Sequence, residues 1–485
     1  MAGKEVFTDI PQRKIGEKCA VFGIYDTKGS LDIARTTARG LHALQHRGQE
    51  ASGISSSDGN TIYTYKRRGL VNQVFDDEDP AIFSFDMLPG NRAIGHNRYA
   101  TSRASFIKGC HLQPVIDEEN VLAAAHNGNE PDLESIAKFL DERGVDYQNK
   151  NDTEMMHVTL LDFIKRGASL AEAMEQAYRL FKGAFSLIAM DDEQIVGIRD
   201  KCGIRPFSIG RLNGSYILSS ETCALDILNA NYIRDVNPGE MVIIDEHGLR
   251  STSLGEGHQR LDVFEFIYFA RPDSMLLGKR VGLARTELGR VSAREMKHNN
   301  ADIVIGVPDS GTPYAIGFSQ ESGIPYAEGL VKNRYTGRSF QKPDKSSREV
   351  EIRAKLNPVR EVLYNKIVLV EDDSMVRATV AGIVTAMLRE AGAREVHWKI
   401  SSSRVRNPDF YGIDTPSQSE LIGADKCPKE ISEYIGADSV EFLEYDSMIR
   451  GIGVAESLLS TSSFTGDYPI DIGKRWGEFV PKRAN

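Results

Sequence analysis

An α/β protein of more than one domain is predicted by three features of the sequence. Its 485 residues suggest roughly two to four domains, each able to bury a sizeable core. Short β-branched runs alternate with helical patterns in the second half, as at Val304–Val307 and Ile367–Val370. Most directly, Ile367–Gly382, IVLVEDDSMVRATVAG, reads as buried strand, acidic turn and helix start. Open α/β sheets hold their ligands at such a place. Backbone N–H groups at the helix start suit a phosphate, and Asp372–Asp373 suit sugar hydroxyls or a Mg²⁺ ion. Taken alone, the stretch is equally an ordinary capped turn with two solvated carboxylates.

The totals narrow the class of protein. With 41% hydrophobic and 26% charged residues, the composition is that of an ordinary globular chain. A net charge of −10 argues against a general nucleic-acid partner. The longest apolar runs fall far short of a membrane span, and the polar Met1–Lys18 segment has no apolar core for a secretory signal. Cys19, Cys110, Cys202, Cys223 and Cys427 are scattered, odd in number and without a CxxC pair. That pattern suggests neither a disulfide framework nor a zinc ribbon and fits a reducing cytoplasm.

In chain order, Cys19 opens a first strand, CAVFGIY. A lone Cys is more often a small buried hydrophobe than a nucleophile, but polar clusters downstream change its setting. Gln45–Glu50 (QHRGQE) ends a helical pattern, Ile94–Thr101 (IGHNRYAT) places Arg98 where a strand gives way to a turn, and Val121–Ala125 runs as a buried strand into His126–Asn129 (HNGN). Asn151–Glu154 then caps a helix. Each segment singly is a helix end, hairpin, turn or cap. The many short returns between Phe181 and Ile244 argue for layered sheets covered by helices. The first domain is expected to end near Thr252–His258, where Ser, Gly and charged residues replace apolar runs.

Together these segments resemble the glutaminase domain of amidotransferases that use an N-terminal cysteine nucleophile. The resemblance implies an N-terminal-nucleophile (Ntn) hydrolase αββα sandwich over 19–253. It implies Cys19 as nucleophile, Asn127 and Gly128 as oxyanion hole, Arg98 and Asp152 as ligands of the glutamine carboxylate and amine, and Arg47 lining the pocket. In that family the cysteine's own α-amino group takes the proton, and its pKa of about 7.7–8.0 suits the task. Cys19 therefore needs a free amine, so residues 1–18 are expected to be a propeptide. Ala20, where the family usually has Gly, and Ser102–Ala104, without the usual glycine turn, depart from the pattern.

In the second half, FEFIYFARPDS (264–274), VPDSG (307–311), KNRYTGRSF (332–340), KLNPV (355–359), VEDDSMVR (370–377), FYGID (410–414) and SELI (419–422) occur in order. This series resembles the glutamine phosphoribosylpyrophosphate amidotransferase (amidophosphoribosyltransferase) family over nearly all of Cys19 to about Ile452. The resemblance implies a type I phosphoribosyltransferase domain with a parallel sheet over 254–455, and a C-terminal tail, 456–485, without assigned role. It implies that ammonia displaces pyrophosphate from C1 of phosphoribosyl pyrophosphate (PRPP), the first step of purine synthesis. Asp372 and Asp373 would hold ribose hydroxyls and Mg²⁺, and Ser374–Val380, with Arg377 and Thr379, the 5′-phosphate. Asp309, Ser310, Lys332 and Arg338 would hold the pyrophosphate. Closure of 332–340 would build an ammonia channel and gate the glutaminase. Purine nucleotides as feedback inhibitors and a homotetramer or dimer are implied by the same likeness.

Some members carry an iron–sulfur cluster on four cysteines. Those positions fall here at Asp262, Asp409, Ser460 and Ser463, and clusters of that kind need thiolates, so no cluster is expected. The phosphate stretch departs from the family's usual VDDSIVRGTT at Glu371, Ala378 and Val380, and some members have Ser at Gly311. Two alternatives therefore stand beside the transferase. One is a paralogue whose phosphoribosyl site is a regulatory module. The other is a glutaminase serving a different phosphorylated acceptor.

Overall fold

The computed structural model describes residues 19–98, 112–333, 345–412, 415 and 417–481. Arg338 and most of the 332–340 segment lie outside them, as does the 1–18 segment.

The first half folds as thirteen strands: β1 Ala20–Tyr25, β2 Ala51–Ser57, β3 Ile62–Arg68, β4 Arg92–Arg98, β5 Val115–Ile116, β6 Ala123–Asn129, β7 Ala184–Met190, β8 Ile195–Arg199, β9 Ser208–Leu212, β10 Ser215–Ser219, β11 Asn231–Asp235, β12 Glu240–Asp245 and β13 Gly248–Ser253. They form two antiparallel sheets, ordered β11-β9-β10-β1-β4-β2-β3 and β13-β12-β8-β7-β6-β5. Strands buried on both faces lose the usual polar alternation, and β1, AVFGIY, is buried at every position. Val21, Ile94, Ala125, Ile188, Phe207 and Val242 fill the space between the sheets. Phe22 and Ile54 turn outward onto Ile33, Leu41 and Leu44 of the helix Ile33–Ala43 and its C-terminal end. On the far side, Phe185 and Leu187 pack with Leu160 and Met174 of the helices Asp152–Lys165 and Leu170–Tyr178. Helix, sheet, sheet, helix is the αββα sandwich.

The second half is built on a four-stranded parallel sheet, in the spatial order Ile303–Gly306, Ile367–Asp372, Glu395–Ile400, Ser439–Phe442. The IVLVED run is thus a central strand, which explains its unbroken apolar stretch. Helices Thr312–Ser322 and Thr379–Glu390 each follow a strand of this sheet. The helix Val281–Glu295 crosses the first of these closely. A Cβ on Gly289 would stand 2.0 Å from Tyr314 O, and one on Gly317 2.0 Å from Thr286 O.

The tail joins both halves: Ile470 and Ile472 share a buried cluster with Ala184, Cys202 and Ile204 of the first. Within the second, Leu459–Ser460 pairs in parallel with Leu261–Asp262, and the Tyr411 hydroxyl accepts a hydrogen bond from Ile470 N (3.0 Å). Tyr468, Trp476 and Phe479 then stack around Phe410. No helix among the described residues is long and apolar enough to cross a membrane.

Candidate active sites

The first site gathers at one end of the sandwich. β1 pairs with β4 in the register Ala20↔Asn97, so Cys19, just before β1, lies beside Arg98 at the end of β4. Across the sandwich, β6 extends through the HNGN motif, so Asn127 and Gly128 sit on a strand and not on a following turn. Gly128 has φ +155°, and a Cβ there would stand 1.9 Å from Ala184 O, so glycine alone allows this backbone. Ser220, directly after β10, joins the two strands: its Oγ accepts from Val21 N at 2.9 Å and lies 3.4 Å from Asn127 Nδ2. Asp152 opens its helix, behind a capping box of Asn151 and Glu154. Its Oδ2 is 3.8 Å from His126 Nδ1, which places it beside the residue preceding Asn127. Burial holds His126 and His96 below the ordinary imidazole value, His96 to about 3. His96 is therefore neutral, and its Nε2 contact with His126 O (3.1 Å) is an N–H donating to a carbonyl.

Arg47 corrects an expectation. Its guanidinium does not open onto a glutamine pocket but lies behind Cys19, 1% exposed. Nε donates to Cys19 O at 3.1 Å, Nη1 to Glu221 at 2.5 Å and to Glu265 at 2.9 Å, and Nη2 to Glu265 at 2.6 Å. Four of its five N–H groups are thus engaged. Burial alone would lower its pKa, but the Glu265 and Glu221 carboxylates overcome this and raise it. Conversely, burial would raise Glu221 and Glu265, yet His46 and Arg47 pull the first below its ordinary value, and Arg47 and Arg205 the second. Glu265 lies between Phe264 and Phe266, and a lone acid in an apolar run was the available signal for it. Its partner could not be read from the chain.

The second site lies at the C-terminal edge of the parallel sheet. Asp372 ends its strand, and its Oδ1 accepts from Asp373 N (3.0 Å), while the Ser374 hydroxyl donates to Asp373 Oδ1 (2.6 Å). Burial and the adjacent Asp373 push the Asp372 carboxyl well above the usual range. Such a repelling pair is relieved by a cation or by hydroxyl donors. Among the described residues no three His, Cys, Asp or Glu side chains are grouped to hold a metal. Thr379 opens the helix Thr379–Glu390, whose preceding residue, Ala378, has φ +57° and ψ 2°. This left-handed conformation is where the family usually has Gly. Arg377 forms an ion pair with Glu420 of SELI, and Ile422 N donates to Val376 O (2.9 Å). Arg377 thereby holds the turn to that segment. Val380 is 43% exposed, so the loss of a Thr hydroxyl there leaves no buried gap.

Pro308–Gly311 forms the neighbouring loop, and the Pro308–Asp309 peptide is cis. Lys332 forms an ion pair with Asp309, which brings these two expected pyrophosphate ligands together, with Ser310 next to them. Gly311 is imposed by packing: a Cβ would stand 2.5 Å from Glu371 O and 2.7 Å from Val307 N. Glu371, fully buried, accepts from the hydroxyls of Ser292 and Ser401, each at 2.8 Å. Burial raises it to about 8. It substitutes for the family's apolar residue because two hydroxyls answer its oxygens.

An Ntn-type sandwich carrying Cys19, Asn127 and Gly128, joined to a parallel sheet with an acidic turn and phosphate-ready helix, defines a two-site glutamine amidotransferase coupled to a phosphoribosyltransferase. Comparisons give the family. A family model for a glutamine amidotransferase domain matches residues 102–226. The amidophosphoribosyltransferase of Synechocystis sp. is 44% identical over 463 residues, covering 94% of this chain and 92% of its own. That of Bacillus subtilis is 40% identical over 468 residues, covering 94% and 95%. The solved glutamine PRPP amidotransferase of B. subtilis, complexed with ADP and GMP, superposes with a TM-score of 0.84 at 39% identity, over 94% of this chain and 98% of that one. This chain belongs to the amidophosphoribosyltransferase family.

Proposed function

We infer that the chain is a glutamine-dependent amidophosphoribosyltransferase, converting glutamine, PRPP and water to 5-phosphoribosylamine, glutamate and pyrophosphate. The observation that carries this is the junction of the Cys19 strand to the FEFIYFARPDS segment through Arg47 and Glu265. A glutaminase serving a different acceptor needs no such joint with a phosphoribosyl site.

Once 1–18 are removed, the free α-amino group of Cys19 takes the thiol proton, and the thiolate attacks the glutamine carboxamide. Asn127 Nδ2 and Gly128 N–H stabilise the oxyanion, while Arg98 and Asp152 hold the carboxylate and amine. The α-ammonium proton leaves with ammonia, and water hydrolyses the thioester. At the second site, ammonia attacks C1 of PRPP as pyrophosphate departs. Asp372 and Asp373 hold the ribose hydroxyls and the Mg²⁺ that PRPP brings as part of the substrate. The Ser374–Thr379 turn holds the 5′-phosphate, and the loop of Asp309 and Ser310, with Lys332 and Arg338, receives the pyrophosphate. Purine nucleotides are the natural candidates for inhibitors, since they share the ribose 5′-phosphate.

A steady-state assay with glutamine and PRPP, following glutamate and pyrophosphate together, tests the reading. One-to-one release is expected. Glutamate release indifferent to PRPP would reject it. Intact-mass analysis of the active enzyme should begin at Cys19, and a fully active chain still beginning at Met1 or Ala2 would reject the role of its amine.

A further inference from the structure

The two sites are joined by a continuous line of backbone and side-chain hydrogen bonds, the latter buried up to the last, part-buried link at Cys19. The loop Pro308–Gly311 runs directly into the helix Thr312–Ser322. In its first turn stands Tyr314, fully buried, whose hydroxyl donates to Ile267 O at 2.7 Å. Ile267 lies in the turn Glu265–Phe269, a wide turn closed by Ala270 N donating to Glu265 O (3.1 Å). Arg285 grips the same turn, from Nε to Phe266 O (2.8 Å) and from Nη2 to Ala270 O (2.9 Å). The Glu265 carboxylate then takes Arg47, and Arg47 Nε donates to the carbonyl of Cys19.

Rigidity on the helix side of the turn is provided by packing. Tyr314 and Arg285 stand on the two helices that cross at Gly289 and Gly317, where a Cβ would lie 2.0 Å from the facing carbonyl oxygen. That contact leaves no room for one helix to slide on the other, so both grips on the turn move as one body. Beyond the turn, Glu265 lies between two buried guanidinium groups, with Arg205 Nη1 at 3.1 Å as the second. A charge so placed cannot shift without taking its partners along.

We propose that Tyr314 is a positioning residue that transmits occupancy of the Pro308–Gly311 loop, through the turn Glu265–Phe269 and Arg47, to the backbone of the Cys19 nucleophile. This rests on the two-site reading above. A ligand drawing on the loop shifts the start of helix Thr312–Ser322, the Tyr314 hydroxyl carries that shift to the Ile267 carbonyl, and Glu265 resets the hydrogen bond that orients Cys19. The wide turn is the deformable element, since turns of this kind are rare and concentrate at functional sites.

The test is Tyr314→Phe, which keeps the ring and removes one hydroxyl. Glutaminase rate is measured with and without PRPP, and ammonia-dependent transfer is measured separately. The ratio of stimulated to basal glutaminase is expected to fall about fivefold, the value of one ordinary hydrogen bond, with basal glutaminase and ammonia-dependent transfer within about twofold of the parent. A double variant with Glu265→Gln supplies a readout that a merely structural role would not move. On a shared line its ratio equals that of the weaker single variant, whereas independent sites multiply. An unchanged ratio in Tyr314→Phe, or multiplicative losses, overturns the proposal while leaving the two-site reading standing. A parent enzyme that couples no pyrophosphate release to glutamine overturns both.

Discussion

Replacing Glu265 by Gln removes one negative charge from a cluster in which Arg47, Arg205, Glu221 and Asp262 are all almost fully buried. The amide keeps one acceptor, at the Oε1 position that now serves Arg47 Nη2 (2.6 Å) and Arg205 Nη1 (3.1 Å). Its NH₂ then faces Arg47 Nη1, a donor against a donor, where Oε2 now accepts at 2.9 Å. Breaking a buried charge pair from one side costs about 3–5 kcal/mol, because the remaining charge stays desolvated. The cluster spans both halves of the chain, so the loss falls on their junction. The pH dependence follows from the depressed pKa of Glu265, pulled below its ordinary value against burial by Arg47 and Arg205. A carboxylate of this kind stabilises fully above its unfolded pKa, about 4.3, and loses that contribution as pH falls toward its folded value. The parent and Glu265→Gln should therefore differ most at neutral pH, with the difference beginning to shrink only below about pH 4.3, the unfolded value, and vanishing as pH passes through the lower folded value. Urea unfolding at pH 7 and at a series of lower pH values, followed by tryptophan fluorescence and by calorimetry, measures both. A difference under about 1 kcal/mol at pH 7, or one that does not shrink at low pH, would refute the reasoning.

Three other outcomes are expected. Ala378→Gly relieves a left-handed backbone costing about 1–2 kcal/mol, offset by roughly 0.4–1 kcal/mol of unfolded-chain entropy; thermal stability should rise slightly and the KM for PRPP should fall or hold, and a lower melting midpoint would contradict the strain. Cys19→Ala should abolish glutamine-driven turnover yet leave transfer from free ammonia, so retained glutamine use would unseat Cys19 as nucleophile. Asp373→Asn should reduce transfer at least about a hundredfold by losing charge at the reacting sugar, with basal glutaminase largely kept; loss of glutaminase alone would reverse the assignment of the two sites.

How much could be read without coordinates depended on whether a feature was local. Strand, acidic turn and helix at 367–390 follow from β-branched runs, a polar break and helical periodicity, all encoded within a few neighbouring residues. The capping box at Asn151–Glu154 was legible for the same reason. Arg47 was misplaced because QHRGQ carries no sign of partners 174 and 218 residues away. Gly311 looked like a lost hydroxyl until the backbone of Glu371 proved to occupy the space a side chain would need.

The amino-acid sequence by itself determined the α/β class and the strand, acidic turn and helix start at 367–382, since these are short contiguous signals, while the two-site chemistry came from the family resemblance that the ordered motifs carry. Only the tertiary structure decided which buried charges meet, why Glu371 is tolerated, that Ala378 adopts a left-handed backbone, and that Tyr314 touches the turn bearing Glu265. Those features depend on pairings between distant segments, and burial makes each pairing costly to leave unmade. One-dimensional periodicity records that a residue is buried but not what it is buried against.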